Sequence, residues 1–294
     1  MNWSIAIARK GVFVVAALVL PGLVGCGADG SMDPNVAGAL SSVTGGAIGS
    51  NSKEAKMLSA GAKGLQSITL SDRDAAEIGE SIAVAVTHDY GVVKDDKLNA
   101  YVAKVGLTIV AVCERPEQNF TFGVLDTDEV NALSMPGGYV FVTRGALARM
   151  KDESELAGVL AHEIGHVCKA HGKEAIKRAK GMDALATAGS AQTSGIVAEV
   201  IESGSKEILK PMGAGEETEA DVKAVAYLRA AGYDPNGYLR YLERSQVSGS
   251  GGMLATHPST AARVTKVKSA IGATSGGATL ATRFSSNTAS VPKR

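Results

Sequence analysis

The sequence has few aromatic residues, few cysteines and no excess of either charge. Aromatic residues make up 4% of the 294 positions, and tryptophan occurs once, at Trp3. Thirty basic residues balance thirty acidic ones, and no cluster of Lys and Arg forms the pattern that follows a phosphate backbone. We therefore expect no nucleic-acid partner. No internal repeat with a period of about 20 to 50 residues is visible, so appended repeat helices are not expected.

Long hydrophobic runs are also missing. The apolar run GVFVVAALVL at 11–20 follows Arg9 and Lys10 and ends before Pro21. It is shorter than the roughly 20 residues that a membrane-spanning helix needs, and its layout is typical of a secretory signal. We therefore predict a signal peptide over residues 1–25.

The four residues LVGC at 23–26, where the signal meets the mature chain, resemble the lipobox of bacterial lipoproteins, in which the cysteine becomes the lipidated first residue. We predict lipid on Cys26, which would attach the protein to a membrane. An ordinary signal peptide with a chance cysteine is the alternative. Gly27 resembles the outer-membrane sorting pattern, so the expected location is the periplasmic face of the outer membrane.

The rest of the chain has the composition of a globular protein between two low-complexity ends. It contains 45% hydrophobic and 20% charged residues, enough for a substantial core. Residues 26–66 are rich in Gly, Ser and Ala and are predicted to be a flexible tether. Residues 67–273 are predicted to form the folded domain, and residues 274–294 a disordered tail.

The folded part is predicted to be an α+β domain that is mainly helical, with a small β-sheet. Residues 71–91 have the pattern of a helix that starts at Ser71 or Asp72 and stops at Gly91, and a second helix follows. Residues 120–126 and 139–143 are rich in β-branched and aromatic residues. Pro136-Gly137-Gly138 lies between them, so we expect two strands joined through a tight turn.

The segment LAGVLAHEIGHVCKAHG at 156–172 contains a His-Glu-x-x-His pattern. Asp152 followed by Glu155 is typical of a helix start, and Gly172 is the expected end of the helix. At about 100° per residue, one face of this helix is apolar and faces the core. Its members are Leu156, Leu160, Ile164 and Val167.

His162 and His166 lie one helical turn apart on another side of the same helix, with Glu163 beside them. Two imidazoles at this spacing can bind one zinc ion, although a buried helix that only packs is the alternative. Catalytic zinc usually has three protein ligands. His171 lies about 180° around the helix from His162, so the third ligand must come from elsewhere.

The candidate third ligand lies in GEETEADVKAVAYL, which begins at Gly215. Glu217 and Asp221 are one turn apart and continue the apolar stripe of this helix. Two buried carboxylates are costly unless they meet a cation, so we predict that Glu217 binds the metal and that Asp221 orients a metal-binding imidazole. An exposed acidic helix start is the alternative. Glu216 and Glu219 are expected to point elsewhere.

Four segments in this order resemble the zinc metalloendopeptidase family that includes HtpX, the CAAX prenyl proteases and BepA-like periplasmic proteases. They are MPGGYVFVTRGAL, SELAGVLAHEIGHV, EETEAD and THPSTAAR. The resemblance implies a gluzincin fold with the small sheet beside the His-Glu-x-x-His helix. It also implies one Zn²⁺ per chain on His162, His166 and Glu217, with Glu163 as the general base. The chain departs from several family members in having no transmembrane helix after its signal and no helical repeat domain.

Two residues near the C-terminal end of the domain are further candidates. His257 follows the flexible stretch SGSGGM, so it could swing toward the metal. There it would stabilise the oxyanion or act as a temporary fourth ligand. A local hydrogen bond is the alternative. Arg263 has the family's spacing from His257 and could pair with Glu217, Asp221 or the oxyanion.

The substrate is expected to lie along the strand at 139–143. A sheet edge can accept an extended peptide through backbone hydrogen bonds, which makes Gly137, Gly138 and Tyr139 candidate binding residues. Asn131 falls on the family pattern and could hold the substrate backbone, with ordinary turn chemistry as the alternative. Residues 181–214 are expected to form a mobile cover.

The predicted function is that of a zinc metalloendopeptidase of the cell envelope that degrades misfolded or unassembled envelope proteins. Its partners would be protein or peptide substrates and the membrane. A non-catalytic, zinc-stabilised envelope chaperone or assembly factor is the alternative. The remaining cysteines, Cys113 and Cys168, are compatible with a disulfide in an oxidising compartment or with two buried thiols.

Overall fold

The structure is a computed structural model that describes residues 70–178, 212–247, 257, 261–273 and 276–292. The predicted signal peptide, Cys26, the tether at 26–66 and the expected cover as far as residue 211 lie outside the described residues. None of the helices in the described part of the chain is long and apolar enough to cross a bilayer.

The architecture is α+β and mainly helical, as predicted. In chain order the elements are α1 (Asp72–Tyr90), α2 (Asp96–Val110), β1 (Thr121–Leu125), β2 (Ala132–Met135), β3 (Tyr139–Thr143), α3 (Arg144–Arg149), α4 (Glu153–Cys168), α5 (Ala214–Ala230), α6 (Asn236–Val247), α7 (Ala261–Ile271) and α8 (Ala281–Asn287). Residues 171–178 are also helical.

Helix α1 begins and ends at the predicted residues. Ser71 caps it by accepting a hydrogen bond from the N–H of Asp74, whose carboxylate accepts one from the N–H of Ser71 in return. Gly91 ends the helix at φ 73°, in the left-handed region that glycine tolerates best. These local rules operate within a few residues, which is why the sequence pattern predicts them.

The sheet is covered on both faces by helices, because successive residues of a strand point to opposite sides. Val140 and Val142 of β3 pack with α2 and α4 in the larger core. Phe141, between them, packs with α1 in a second core. The sheet therefore lies between α1 on one face and α2 with α4 on the other, which places its β2 strand beside the His-Glu-x-x-His helix.

The strand order is β1-β3-β2, which differs from the prediction. β1 pairs with β3 in parallel, whereas β2 pairs with β3 antiparallel. The tight turn at Gly137 and Gly138 therefore joins β2 to β3, and the prediction that it joins residues 120–126 to 139–143 is wrong. The four residues ALSM of β2 were too short a run to be recognised as a strand from the sequence.

The central position of β3 also contradicts the prediction that this strand offers a free sheet edge to the substrate. Both edges of β3 already carry backbone hydrogen bonds, so an added peptide could not pair with it. β2 lies at the outer side of the sheet. The bonds from Gly138 N–H to the Met135 carbonyl and from Thr143 N–H to the Asn131 carbonyl fix the antiparallel alternation. By that alternation Ser134 directs its N–H and carbonyl away from β3.

Helix α4 has the predicted start and apolar face but a different end. Asp152 caps it through the N–H of Glu155 at 3.0 Å, and the four predicted core residues are buried. The helix ends at Cys168, before the predicted Gly172, because Ala170 adopts a left-handed conformation with φ 57°. This break changes the direction in which His171 projects.

The prediction of a disordered tail at 274–294 is wrong for residues 276–292. Helix α8 forms there, and the side chains of Phe284 and Val291 are buried in the larger core. The carbonyl of Thr279 accepts hydrogen bonds from the N–H groups of Glu153 and Ser154, at the otherwise unsatisfied start of α4. The composition of this segment suggested disorder because most of its residues are polar. A few apolar side chains are enough to order it, since the rest of the protein supplies a surface on which they pack.

Candidate metal centre

The two histidines of α4 direct their Nε2 atoms toward one point. His162 and His166 are both buried, and these atoms lie 3.0 Å apart. Helix α5 crosses α4 closely at Gly165, where a Cβ atom would lie 3.3 Å from the Cα of Ala220. The close approach of the two helices brings Glu217 of α5 to the histidines.

Glu217 and His257 complete a cluster of four donors. The Oε2 atom of Glu217 lies 3.5 Å from His162 Nε2, and its Oε1 atom lies 3.5 Å from His166 Nε2. His257 Nδ1 lies 2.8 Å from Glu217 Oε1 and 3.4 Å from His162 Nε2. One ligand atom from each of the four residues lies within 4.8 Å of all the others, and all four residues are buried.

The spacing of these donors fits a zinc ion. Tetrahedral zinc with bonds of about 2.0–2.1 Å requires its ligand atoms to be about 3.3–3.4 Å apart. The observed separations of 3.0, 3.5 and 3.5 Å among His162, His166 and Glu217 are close to that value. Two imidazole nitrogens and a carboxylate are also a common ligand set for catalytic zinc.

His162 is supported from behind by a buried network of charges. Its Nδ1 atom lies 3.1 Å from Asp221 Oδ1, as expected for a carboxylate that orients a metal-binding imidazole. Arg263 donates to both oxygens of Asp221 at 2.7 and 2.8 Å and lies 2.7 Å from Glu217 Oε2. Tyr238 adds a hydrogen bond to Asp221 at 2.6 Å. The structure thus brings Arg263 to two of its predicted partners.

This network keeps both carboxylates ionised. Burial alone would raise the pKa of Asp221, but Arg263 and His162 lower it to about 2. Burial likewise opposes the ionisation of Glu217, and His162 with His257 holds its pKa well below the usual range. Burial would lower the pKa of His162, but hydrogen bonds to Asp221 and Glu217 raise it to about 9. The histidines therefore face two ionised carboxylates, and a divalent cation bound there would neutralise their negative charge.

His166 has a different partner, which the sequence did not predict. Its Nδ1 atom lies 2.9 Å from Nδ1 of His171, and the Nε2 atom of His171 lies 3.3 Å from Glu219 Oε2. The helical projection put His171 on the far side, but the left-handed Ala170 brings it back. Glu219 stays outside the donor cluster, as predicted, but it contacts the outer nitrogen of His171. Glu216 does point away, since one oxygen of its carboxylate accepts a hydrogen bond from the N–H of Gly213 and the other accepts one from the guanidinium of Arg178.

Glu163 is fully buried beside the donor cluster. The hydroxyl of Ser134 on β2 donates a hydrogen bond to Glu163 Oε2 at 2.7 Å. The other oxygen, Oε1, has no hydrogen-bond partner within the described residues and lies 3.4 Å from His257 Nε2. Ser134 was also missed, since nothing in a short unrecognised strand marks one serine as a partner of a residue on α4.

A cavity of about 250 Å³ opens beside His166. It is lined by Ser134 and Met135 of β2 and by Gly137 and Gly172, among others. Of the residues predicted to bind substrate, Gly137 lines this cavity, whereas Gly138 and Tyr139 do not. This cavity therefore runs along the end of the outer strand and not along β3.

Asn131 lies at the start of β2 and is buried. Its side-chain oxygen accepts a hydrogen bond from the N–H of Ala132 at 2.9 Å, and its own N–H donates to the Thr143 hydroxyl. These contacts involve the amide oxygen and the backbone N–H of Asn131, and its role in holding a substrate backbone stays a prediction.

Cys113 and Cys168 are both free thiols. Cys168 is the last residue of α4, and burial together with the neighbouring Cys113 raises the pKa of Cys168 to about 12. Of the two states compatible with the sequence, the structure has the unbridged pair.

The sequence profile described as peptidase family M48 matches residues 89–271. The chain is 31% identical to a putative beta-barrel assembly-enhancing protease of Vibrio cholerae, over 64% of this chain and 42% of that protein. It is 32% identical to the mitochondrial metalloendopeptidase OMA1 of Schizosaccharomyces pombe, over 57% of this chain and 51% of that protein. With the metalloprotease LoiP of Escherichia coli it shares 27% identity, over 72% of this chain and 86% of that protein. The match thus spans about half or less of the first two relatives.

Proposed function

The chain belongs to peptidase family M48, and on that premise we propose that it is a zinc-dependent endopeptidase that degrades misfolded or unassembled proteins of the cell envelope. The observation that carries the proposal is the placement of a buried, ionisable Glu163 beside a four-donor cluster that fits zinc. The same arrangement argues against a zinc-stabilised chaperone, which would need the ligands but not a buried carboxylate held beside them.

His162, His166 and Glu217 would hold one zinc ion per chain. When bound, zinc supplies Lewis-acid activation of water and polarisation of the scissile carbonyl. Asp221 holds the His162 ring with its Nε2 atom toward His166 and Glu217, and Arg263 offsets part of the charge of the two carboxylates.

Glu163 is the general acid and base. It takes the proton of the attacking water and then delivers it to the leaving amine. The Ser134 hydroxyl fixes one carboxylate oxygen, which leaves Oε1 to receive the proton.

His257 would act as a closing ligand. In this structure its ring contacts Glu217 and His162 and faces Glu163, so it occupies the space where a substrate carbonyl would enter. Substrate must displace this ring, after which His257 is placed to donate to the oxyanion. The contact with Glu217 and His162 disfavours the alternative of a purely local hydrogen bond.

The substrate peptide pairs with β2 and not with β3. Ser134 offers the outward N–H and carbonyl that an antiparallel peptide needs, next to the residue that holds Glu163. Backbone pairing of this kind is tolerant of side-chain identity, which suits an enzyme that acts on many unfolded chains.

Lipid on Cys26 would hold the protein at the periplasmic face of the outer membrane. The lipobox-like LVGC supports this location, and so does the similarity to proteins named beta-barrel assembly-enhancing proteases. Substitution of Cys26 by Ser should release the protein from membranes or leave an uncleaved precursor. Unchanged fractionation and migration would contradict lipid anchoring.

The test of the proposed activity is digestion of casein by the purified protein with and without a zinc chelator. Cleavage should stop on chelation and return when zinc is restored. A zinc-loaded protein that prevents aggregation of denatured protein but never cleaves it would favour the chaperone.

A further inference from the structure

The two metal-binding histidines are supported by different groups, and one of the supports has no assigned role. His162 has the ionised carboxylate of Asp221 behind it. His166 has another imidazole, His171, which is buried and follows the break that ends α4. We infer that His171 is a positioning residue that fixes the tautomer and ring orientation of His166, with Glu219 fixing the tautomer of His171 in turn. This inference rests on the proposed role of His166 as a zinc ligand.

The hydrogen-bond directions follow from the geometry. His166 directs Nε2 at His162 and Glu217, so in its neutral, metal-binding form the proton must be on Nδ1. That N–H can donate to His171 Nδ1, 2.9 Å away, only if His171 carries its own proton on Nε2.

The contact between His171 and Glu219 supports the same assignment. His171 Nε2 lies 3.3 Å from Glu219 Oε2, and a carboxylate accepts but does not donate. Lys169 lies 2.8 Å from the other oxygen of Glu219 and helps to keep it ionised. The Nδ1 proton of His166 therefore has His171 as its acceptor, and the Nε2 proton of His171 has Glu219. With His166 in its metal-binding form, each ring has one allowed tautomer.

The backbone provides an independent observation. Ala170 adopts φ 57°, which is unfavourable for a residue with a Cβ atom, and this conformation places His171 against His166. A continued helix would have put His171 on the opposite side from the zinc ligands.

Two substitutions of His171 distinguish a role of its hydrogen bond to His166 from a role in packing alone. His171→Leu keeps an apolar bulk but removes the acceptor, whereas His171→Asn offers an oxygen near the position of Nδ1. We expect His171→Leu to weaken zinc affinity by about 10- to 100-fold, the usual effect of removing a partner of a metal ligand. His171→Asn should recover most of that loss.

Two substitutions on α5 calibrate the effect. Glu219→Gln removes only the outer acceptor charge and should weaken zinc binding less than His171→Leu does. Glu216→Gln lies on the same helix but contacts Arg178 and Gly213, so it should leave zinc affinity unchanged.

The experiment measures zinc affinity of the whole chain by competition with a chromophoric chelator, and the visible spectrum of the cobalt-substituted protein as a report on ligand geometry. Thermal unfolding of the zinc-free variants checks that each one folds, and His171→Ala replaces His171→Leu should the latter fail.

Equal affinity for all His171 variants and wild type would overturn the inference, and so would equal weakening by Leu and Asn, which would indicate packing alone. In both cases the wild type still binds zinc and the proposed function stands. A wild type that binds no zinc would overturn both.

Discussion

The two ends of helix α4 both bury charged side chains, but the charges are neutralised differently. In the first turn, each carboxylate meets an arginine from a distant element: Asp152 meets Arg240, Glu155 meets Arg244 and Glu153 meets Arg283. At the other end, Glu163 and the histidines face one another and a carboxylate from α5. Complete neutralisation marks the end that holds the fold together, and incomplete neutralisation marks the end that holds the chemistry.

The first turn of α4 connects elements far apart in sequence. Glu153 accepts hydrogen bonds from Tyr101 of α2, from Tyr233 and from Arg283 of α8. A buried ion pair adds little net stability compared with apolar packing, but losing one partner leaves the other uncompensated. We therefore expect substitutions at this end to change the free energy of unfolding, and substitutions at the other end to change zinc binding and catalysis.

The largest expected effect is on the metal itself. Glu217→Ala should remove nearly all bound zinc and all measurable proteolysis, because it removes one of the three permanent ligands and also the carboxylate that holds His257 in the cluster. Metal analysis of the dialysed protein tests this. Glu216→Ala is the matched control, since its carboxylate faces Arg178 on the adjacent surface. Loss of zinc from the control with retention in Glu217→Ala would show that the ligand is misassigned.

The second prediction compares two fully buried glutamates on α4. Glu163→Gln should keep zinc and the unfolding midpoint but lower casein cleavage by about 10²–10⁴-fold, the usual contribution of acid–base catalysis. Glu153→Gln should do the reverse and lower the midpoint while the folded fraction retains its activity. A zinc-loaded, folded Glu163→Gln protein that cleaves as fast as wild type would exclude Glu163 as the base.

The third prediction concerns the clamp between α8 and α4, which is the ion pair of Arg283 with Glu153. Arg283→Ala leaves Glu153 with its two tyrosine hydroxyls but without a counter-charge. Because the Arg283 side chain is about half exposed, water compensates in part, and we expect a loss of about 1–2 kcal/mol in the free energy of unfolding. Urea unfolding measures it. Arg178→Ala breaks a more exposed pair and should change stability by less than about 0.5 kcal/mol. Similar losses in both variants would argue against a specific clamp.

The smallest effect is the pH dependence of that clamp. Burial raises the pKa of Glu153, but hydrogen bonds from Arg283, Tyr233 and Tyr101 outweigh it and lower the pKa below its usual value. A carboxylate with a lowered folded-state pKa stabilises the protein above its unfolded pKa of about 4.3 and loses that contribution as pH falls through the folded value. The stability difference between wild type and Arg283→Ala should therefore be full near pH 7 and shrink below about pH 4. Unfolding of zinc-free proteins at both pH values measures it, and a difference that grew toward acid pH would contradict the assignment.

Much of the site was predictable because its spacing is local. His162 and His166 on one side of α4, and Glu217 and Asp221 on one side of α5, follow from one helical turn between members of each pair. Burial of the apolar face of α4 follows from the same periodicity. The link between the two pairs required the resemblance to a family or the observation that buried carboxylates need a cation.

The strand order, the outer position of β2 and the C-terminal helix were not predictable from local patterns. β3 carries a stronger strand pattern than β2, yet both of its edges are already paired and cannot accept another strand. Phe284 and Arg283 lie in a polar stretch whose composition suggested disorder. Their order depends on a pocket and a buried glutamate that other parts of the chain supply.

By itself the sequence determined the helical starts, the apolar faces and the pairs of candidate ligands that lie one turn apart, because backbone periodicity and capping act over a few residues. Only the tertiary structure decided which strand is free, which arginine meets which carboxylate, and that His171 lies against His166 and Ser134 against Glu163. These contacts join residues on separate elements. A left-handed Ala170 and the close crossing of α4 and α5 at Gly165 set their distances, and neither is a property of the local sequence.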